Sequence, residues 1–153
     1  MVELREINGD NLEDILNLRV SESQRAFVSS TAHSLAQAWA YRKTAFPFAV
    51  YADELPVGFV MLGYYASRNQ YTLWKFLIDE RYQHKGYGRE ALQLAIRYLV
   101  KSFDAGEIYT GVALGNRIAK HLYQSVGFTV TGLAEDGMEE MRYLCEKGIG
   151  FKQ

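Results

Sequence analysis

The residues with the strongest claim to chemistry stand together at a strand-to-helix junction: Tyr82-Gln83-His84-Lys85-Gly86-Tyr87-Gly88-Arg89. The first turn of a helix presents amides without intrahelical partners, and its aligned peptide dipoles add a partial positive charge. Phosphate groups bind at such a point. Gln83, His84, Lys85 and Arg89 place further donors around it. Glycine at 86 and 88 removes Cβ atoms and lets a ligand approach the backbone closely. The same stretch reads equally as a glycine-shaped turn beside a solvated basic patch, because short glycine patterns recur by chance.

Two phosphate signatures can be tested against it. The P-loop pattern, a glycine followed by Gly-Lys-Ser/Thr, is absent. Gly86-Tyr87-Gly88-Arg89-Glu90-Ala91 fits the G-x-G-x-x-A form of the dinucleotide fingerprint. That fingerprint follows its strand at once and opens the first βαβ unit. Here the polar residues Arg81 to Lys85 intervene and three strand-like runs come before, so the context rejects it. His33, His84 and His121 are scattered, no Cys/His cluster has ligand spacing, and no metal is expected.

These residues need a frame to hold them. Val2 to Ile7 alternates as a first strand, and Leu12, Ile15, Leu16 and Arg19 follow at helical spacing with Asp10 or Asn11 as N-cap. A second helix is expected from Ser34. "FPFAVYA" and "PVGFVMLGYY" flank Asp53-Glu54 as a hairpin, and "YTLWKFLI" adds a strand beside it. Glu90 to Phe103 carries Leu92, Ala95, Ile96 and Leu99 on one helical face. "EIYTGVAL" reads as a buried strand, and Asn116 to Ser125 as a helix closed by Gly127. "FTVTGLA" and "EEMRYLCE" close the chain as a hairpin around Asp136-Gly137. The order β-α-α-β-β-β-α-β-α-β-β predicts a mixed, mostly antiparallel sheet covered by helices, an α/β or α+β architecture.

The composition fits one globular domain over residues 1–153: 48% of residues are hydrophobic and 23% charged. Seventeen basic residues against eighteen acidic ones give a net charge of -1, without the basic footprint that nucleic-acid binding requires. The single cysteine, Cys145, allows no internal disulfide and suits a reducing compartment. It lies among apolar neighbours of the closing strand and reads as structural. No run approaches the roughly 20 apolar residues of a membrane span, and the start lacks a signal-peptide core. A cytoplasmic protein is expected.

Gln83-x-x-Gly86-x-Gly88 resembles the Q/R-x-x-G-x-G/A signature of the GNAT acetyltransferases. Downstream, Asn116, Ala119, Leu122-Tyr123 and Gly127-Phe128 match that family's N-x-x-A-x-x-L/F-Y-x-x-x-G-F, and the resemblance runs over nearly the whole chain. It implies a GNAT-like sheet with helices on both faces and a splay between strands 4 and 5. It implies acetyl-coenzyme A as co-substrate, with the pyrophosphate on the amides of Gln83, His84, Lys85, Gly86, Tyr87, Gly88 and Arg89. The pantetheine arm would pair with backbone near Leu77 and Ile78, one of whose amides would polarise the thioester carbonyl. Tyr123 occupies the position of the family's general acid, and Asn116 that of a pantetheine or water ligand as well as an N-cap. The attacking amine must arrive neutral; the sequence assigns no base, and Glu22, Asp79 and Glu80, the candidates, each read more readily as solvated surface acids.

Within the family, "SLAQA" at 34–38, "PFAVYADELPVGFVMLGY" at 47–64, Trp74 to Asp79 and "YQHKGYG" are similar to bacterial spermine/spermidine acetyltransferases. This implies a polyamine acceptor, with Glu22, Trp74 and Glu139 on the acceptor side and further acids at Glu135, Asp136 and Glu140. Lys75 stands where some polyamine acetylases carry an acid on the fourth strand. The alternatives are another amine, such as a peptide N-terminus or an aminoglycoside, and a regulator that binds acetyl-coenzyme A without turnover. The expected partner is a small-molecule amine, with neither nucleic acid nor membrane, and a homodimer is the expected assembly.

Overall fold

The computed structural model describes residues 1–146. Strand β1 (Val2–Arg5) leads to helix α1 (Leu12–Leu16), a 3-10 turn (Glu22–Phe27) and helix α2 (Thr31–Ala40). Strands β2 (Ala45–Ala52), β3 (Leu55–Tyr65) and β4 (Gln70–Ile78) follow. A short 3-10 turn (Glu80–Tyr82) joins β4 to helix α3 (Tyr87–Phe103). The remainder is β5 (Glu107–Ala113), α4 (Arg117–Val126), β6 (Thr129–Glu135) and β7 (Met138–Leu144).

The strands form one sheet in the order β1-β2-β3-β4-β5-β7-β6. Every pairing is antiparallel except β4 with β5. The predicted mixed sheet is therefore present, and both predicted hairpin turns are as well. Asp53 and Glu54 have φ of 49° and 70°, and Asp136 and Gly137 have 52° and 75°. Two consecutive left-handed residues match the twist of the strands they connect.

Helices cover both faces. Ala91, Leu92, Ala95 and Leu99 of α3 pack with Tyr123 of α4 against Val60, Leu62, Leu73 and Ile108 of the sheet. On the other face, Ile15 of α1 and Ala38 of α2 meet Ala49, Phe59, Met61 and Leu77. The predicted stripe of α3 thus faces the sheet as its 3.6-residue period requires.

Several boundaries differ from the sequence expectation. β1 stops at Arg5, not Ile7. Asn11 does stand at the N-cap of α1, but its side chain caps no helix amide. It binds the loop instead, accepting from the Asn8 amide at 2.9 Å and donating to the Glu6 carbonyl at 3.0 Å. α2 starts at Thr31, not Ser34, because the Ser30 hydroxyl caps the His33 amide at 3.1 Å. α3 starts at Tyr87, not Glu90, with Gly86 as N-cap at φ 83°.

The feature that makes room for a ligand is the limited contact between β4 and β5. They pair only through Tyr71↔Ile108, Thr72↔Tyr109 and Leu73↔Thr110. Beyond that rung β4 stays with β3 as far as Ile78, and β5 stays with β7 as far as Ala113. The strands splay as the resemblance implies. A bulge coincides with the parting: Leu62 pairs with Leu73 and Met61 with Lys75, which leaves Trp74 as an extra residue.

Candidate active site

A cleft of about 480 Å³ opens in the splay. One wall is Trp74 to Ile78 of β4, the opposite wall is Gly111 to Ala113 of β5, and α3 and α4 supply the rest. The β4 edge facing β5 has lost its strand partner. The Asp79 amide donates to the Val57 carbonyl at 2.8 Å, toward β3. The Leu77 carbonyl also faces β3: a Cβ added at Gly58 would stand 2.5 Å from it. The Ile78 carbonyl turns the other way and accepts from the Gln83 side chain at 2.9 Å. Alternation along a strand therefore sends the Leu77 amide to β3 and the Ile78 amide to the open gap. Of the two expected amides, Ile78 is the one available to a ligand.

The N-terminus of α3 borders the same cleft. Ser30 caps α2 and Asn116 caps α4, but no side chain caps α3. Its first intrahelical bond runs from the Glu90 amide to the Gly86 carbonyl at 3.2 Å. The amides of Tyr87, Gly88 and Arg89 remain without an intrahelical acceptor. A Cβ at Gly86 would meet nothing within 4 Å, so the space above this glycine is open. Uncapped amides beside an open glycine fit a pyrophosphate.

Gly88 lines the cleft and also carries a packing constraint that the sequence did not show. A Cβ there would stand 3.3 Å from Leu122 and 3.6 Å from both Phe76 and Ile78. It lets α3, α4 and β4 pack closely, so its missing side chain serves the fold. The side chains around the loop are also committed to structure. Gln83 ties the loop to the end of β4, and Arg89 donates to the Ser125 carbonyl of α4 at 2.8 Å. His84 has φ of 64° and lines the cleft, whereas Lys85 is exposed and off its lining.

Tyr123 lines the cleft from α4, with 8% of its surface exposed. Its ring packs on Phe128 at 5.9 Å. Burial pushes its hydroxyl up to about 12, so the phenol holds its proton throughout the physiological range. It is an acid in waiting and not a base. Asn116 is buried at the start of α4, lines the cleft and accepts from the Ala119 amide at 3.3 Å.

On the acceptor side, Trp74 lines the cleft and meets Tyr41 edge-on at 5.9 Å. Glu22 is exposed and off the lining, while Gln24 and Phe27 of the same 3-10 turn are on it. Glu139 is also off the lining and pairs with Lys120 at 2.7 Å. The expected base Asp79 is 1% exposed, not a solvated acid. It accepts from the Arg19 and Arg81 amides and from the Arg81 guanidinium. Burial pushes its carboxyl up, but the Arg81 guanidinium and the two amides outweigh burial and hold it below the usual range. Glu80 is exposed. No carboxylate lines the cleft among the described residues.

Some participants carried no sequence signal. Gln24, Phe27 and Ser29 reach the cleft from a 3-10 turn and its exit, outside any helical or strand period. Gly58 is recognisable only through the strand it faces. No three His, Cys, Asp or Glu side chains come together as a metal site among the described residues. No helix there is long and apolar enough to cross a membrane.

The chain is 32% identical over 139 residues to the spermine/spermidine N(1)-acetyltransferase of Bacillus subtilis (strain 168), which covers 86% of this chain and 90% of that protein. Among solved structures, it resembles spermidine N-acetyltransferase from Vibrio cholerae in complex with CoA and spermine: TM-score 0.76, 23% identity, 94% of this chain and 95% of that one. A dodecameric structure of the Vibrio cholerae enzyme matches at TM-score 0.71 and 22% identity, over 99% and 98% of the two chains. The profile of the Acetyltransferase (GNAT) family matches residues 12–128, a span that includes the splay, the uncapped α3 and Tyr123. This chain therefore belongs to the GNAT family of acetyltransferases.

Proposed function

We propose that the chain is an acetyl-coenzyme A-dependent N-acetyltransferase acting on a polyamine of the spermidine or spermine type. The observation that carries the chemistry is the meeting of three features in one cleft. These are the uncapped α3 N-terminus, the unpaired β4 edge and the protonated Tyr123. Acetyl-coenzyme A, when bound, supplies the activated acyl group as a thioester. The amides of Tyr87, Gly88 and Arg89 receive its pyrophosphate beside the open Gly86. The Trp74–Ile78 edge receives the amides of the pantetheine arm. The Ile78 N–H stabilises charge gathering on the acyl oxygen. Tyr123 holds a proton at its Oη for the departing sulfur.

The polyamine assignment is supported by the Bacillus subtilis relative, whose name states that acceptor. Glu135 and Asp136 are exposed on the hairpin that carries Met138 to the cleft, where they can attract a cationic chain. The same reading takes residues 1–153 as one catalytic domain working in the cytoplasm. A homodimer belongs to it too, and light scattering of the purified protein tests that assembly. The deciding experiment measures thiol release with spermidine, spermine, a simple monoamine, a peptide N-terminus and an aminoglycoside. The polyamines are expected to give the highest kcat/KM. Turnover confined to the peptide or the aminoglycoside would overturn the acceptor assignment.

A further inference from the structure

Among the described residues no carboxylate lines the cleft, and a cation, Lys75, stands at its acceptor end. Lys75 lines the cleft from the part of β4 that has separated from β5, two residues before Leu77. The bulge at Trp74 turns Lys75 to the α2 side, where its Nζ donates to Ser29 Oγ at 3.0 Å. That partner is neutral. Across the β3 pairing it faces Met61, and the 3-10 turn offers Gln24 to the cleft, both uncharged. Glu22 and Arg25 of that turn are exposed and off the lining. The other titratable or charged lining groups are His84 and Arg89 at the α3 end, with Tyr82, Tyr87 and Tyr123. Burial alone draws the Lys75 pKa down, and no acid counters it.

We propose that the ammonium of Lys75 disfavours the charged form of the amine that enters beside it, so that the acceptor reaches the thioester as a free amine without a carboxylate base. A like charge within about 4–6 Å lowers the pKa of an ammonium by roughly one to three units. The bound ammonium gives one proton to solvent, which frees the lone pair that forms the N–C bond as the C–S bond breaks. Tyr123 gives its proton to the sulfur, and the proton shed by the acylated nitrogen restores it. Lys75 and the acceptor titrate as a pair, so the observed values belong to both.

The inference rests on the amine-acetylation reading, and two measurements separate the two. In the pH profile of kcat, which reports the bound complex, Lys75→Gln should move the acid limb up by about one unit. Turnover near neutrality then falls about tenfold. Lys75→Arg keeps the cation and should retain the wild-type limb. The second measurement is calorimetric binding of a monoamine to the protein holding acetyl-free coenzyme A, in two buffers of different ionisation enthalpy. Wild type and Lys75→Arg should release on the order of one proton per amine, and Lys75→Gln clearly fewer. An unchanged limb and an unchanged proton count in folded Lys75→Gln overturn the proposal. If the wild type binds amines but releases no thiol with any, acetylation fails while the proton count still tests Lys75. An amine that neither binds nor reacts overturns both.

Discussion

The Thr110 hydroxyl donates to the Leu73 carbonyl at 2.9 Å, on the last rung before β4 and β5 part. One rung earlier the Thr72 hydroxyl donates to the Tyr109 carbonyl at 3.0 Å. Two threonines on facing strands thus clamp the sheet where the cleft begins. Leu73 and Thr110 are both buried, so a carbonyl deprived of this donor finds no water in exchange.

Thr110→Val keeps the shape and removes the donor. The loss of a buried hydrogen bond costs about 1–3 kcal/mol, and a fall in the urea midpoint at unchanged slope would show it. A midpoint equal to wild type would mean that the backbone ladder alone sets where the splay starts.

The two glycines of the loop should separate under substitution. Gly88→Val forces a branched side chain into Leu122, Phe76 and Ile78, and overpacking of this kind typically costs about 1–3 kcal/mol. Gly86→Ala meets no neighbour, but its left-handed φ of 83° costs about 1–2 kcal/mol for a residue with a Cβ. At temperatures where both variants are folded, calorimetry should find donor affinity reduced in Gly86→Ala, where the new Cβ enters the open space. Full affinity in a folded Gly86→Ala would place the pyrophosphate elsewhere.

The difference between these glycines also shows what sequence can and cannot reveal. Leu92, Ala95 and Leu99 announced α3 because burial on one helical face imposes a period. Asn116 and Gly127 announced the ends of α4 because capping has its own residue chemistry. Gly86 and Gly88 are chemically identical in a string, and only the packing of α4 across α3 distinguishes them. Asp79 looked like a surface acid because its partner Arg19 lies 60 positions away. The 3-10 turn that brings Gln24 and Phe27 to the cleft has no period to detect. The opening of β4 from β5 was expected from family resemblance, since strand composition alone does not say where a ladder stops.

Asp79 gives a pH-dependent signature. Its folded pKa lies below the unfolded value, so its stabilisation is present above the unfolded pKa and is lost as pH falls through the folded one. Asp79→Asn should cost on the order of 1–3 kcal/mol at neutral pH, because the Arg81 guanidinium and two amides lose a charged acceptor. Thermal unfolding of both proteins from neutrality to about pH 3 should show the gap closing as the wild-type carboxyl protonates. A gap that stays constant over that range would mean that shape, not charge, is what Asp79 supplies.

Tyr123 supports the sharpest separation between binding and chemistry. Its hydroxyl has no side-chain or backbone partner among the described residues, and its ring is held by Phe128. Tyr123→Phe keeps that packing and removes one proton, so the Tm should move little. Raised to about 12, the phenol stays protonated throughout the physiological range. Deprotonation of Tyr123 should therefore not make the basic limb of the kcat profile fall until pH approaches that value. If Tyr123 protonates the departing sulfur, kcat should fall about 10²–10⁴-fold in the variant while affinity for acetyl-coenzyme A is kept. A donor whose thiol leaves readily as the thiolate should lose less than acetyl-coenzyme A does, because it needs the proton less. An equal loss with both donors would instead assign Tyr123 to placing the acyl group, and an unchanged kcat would remove it from the reaction.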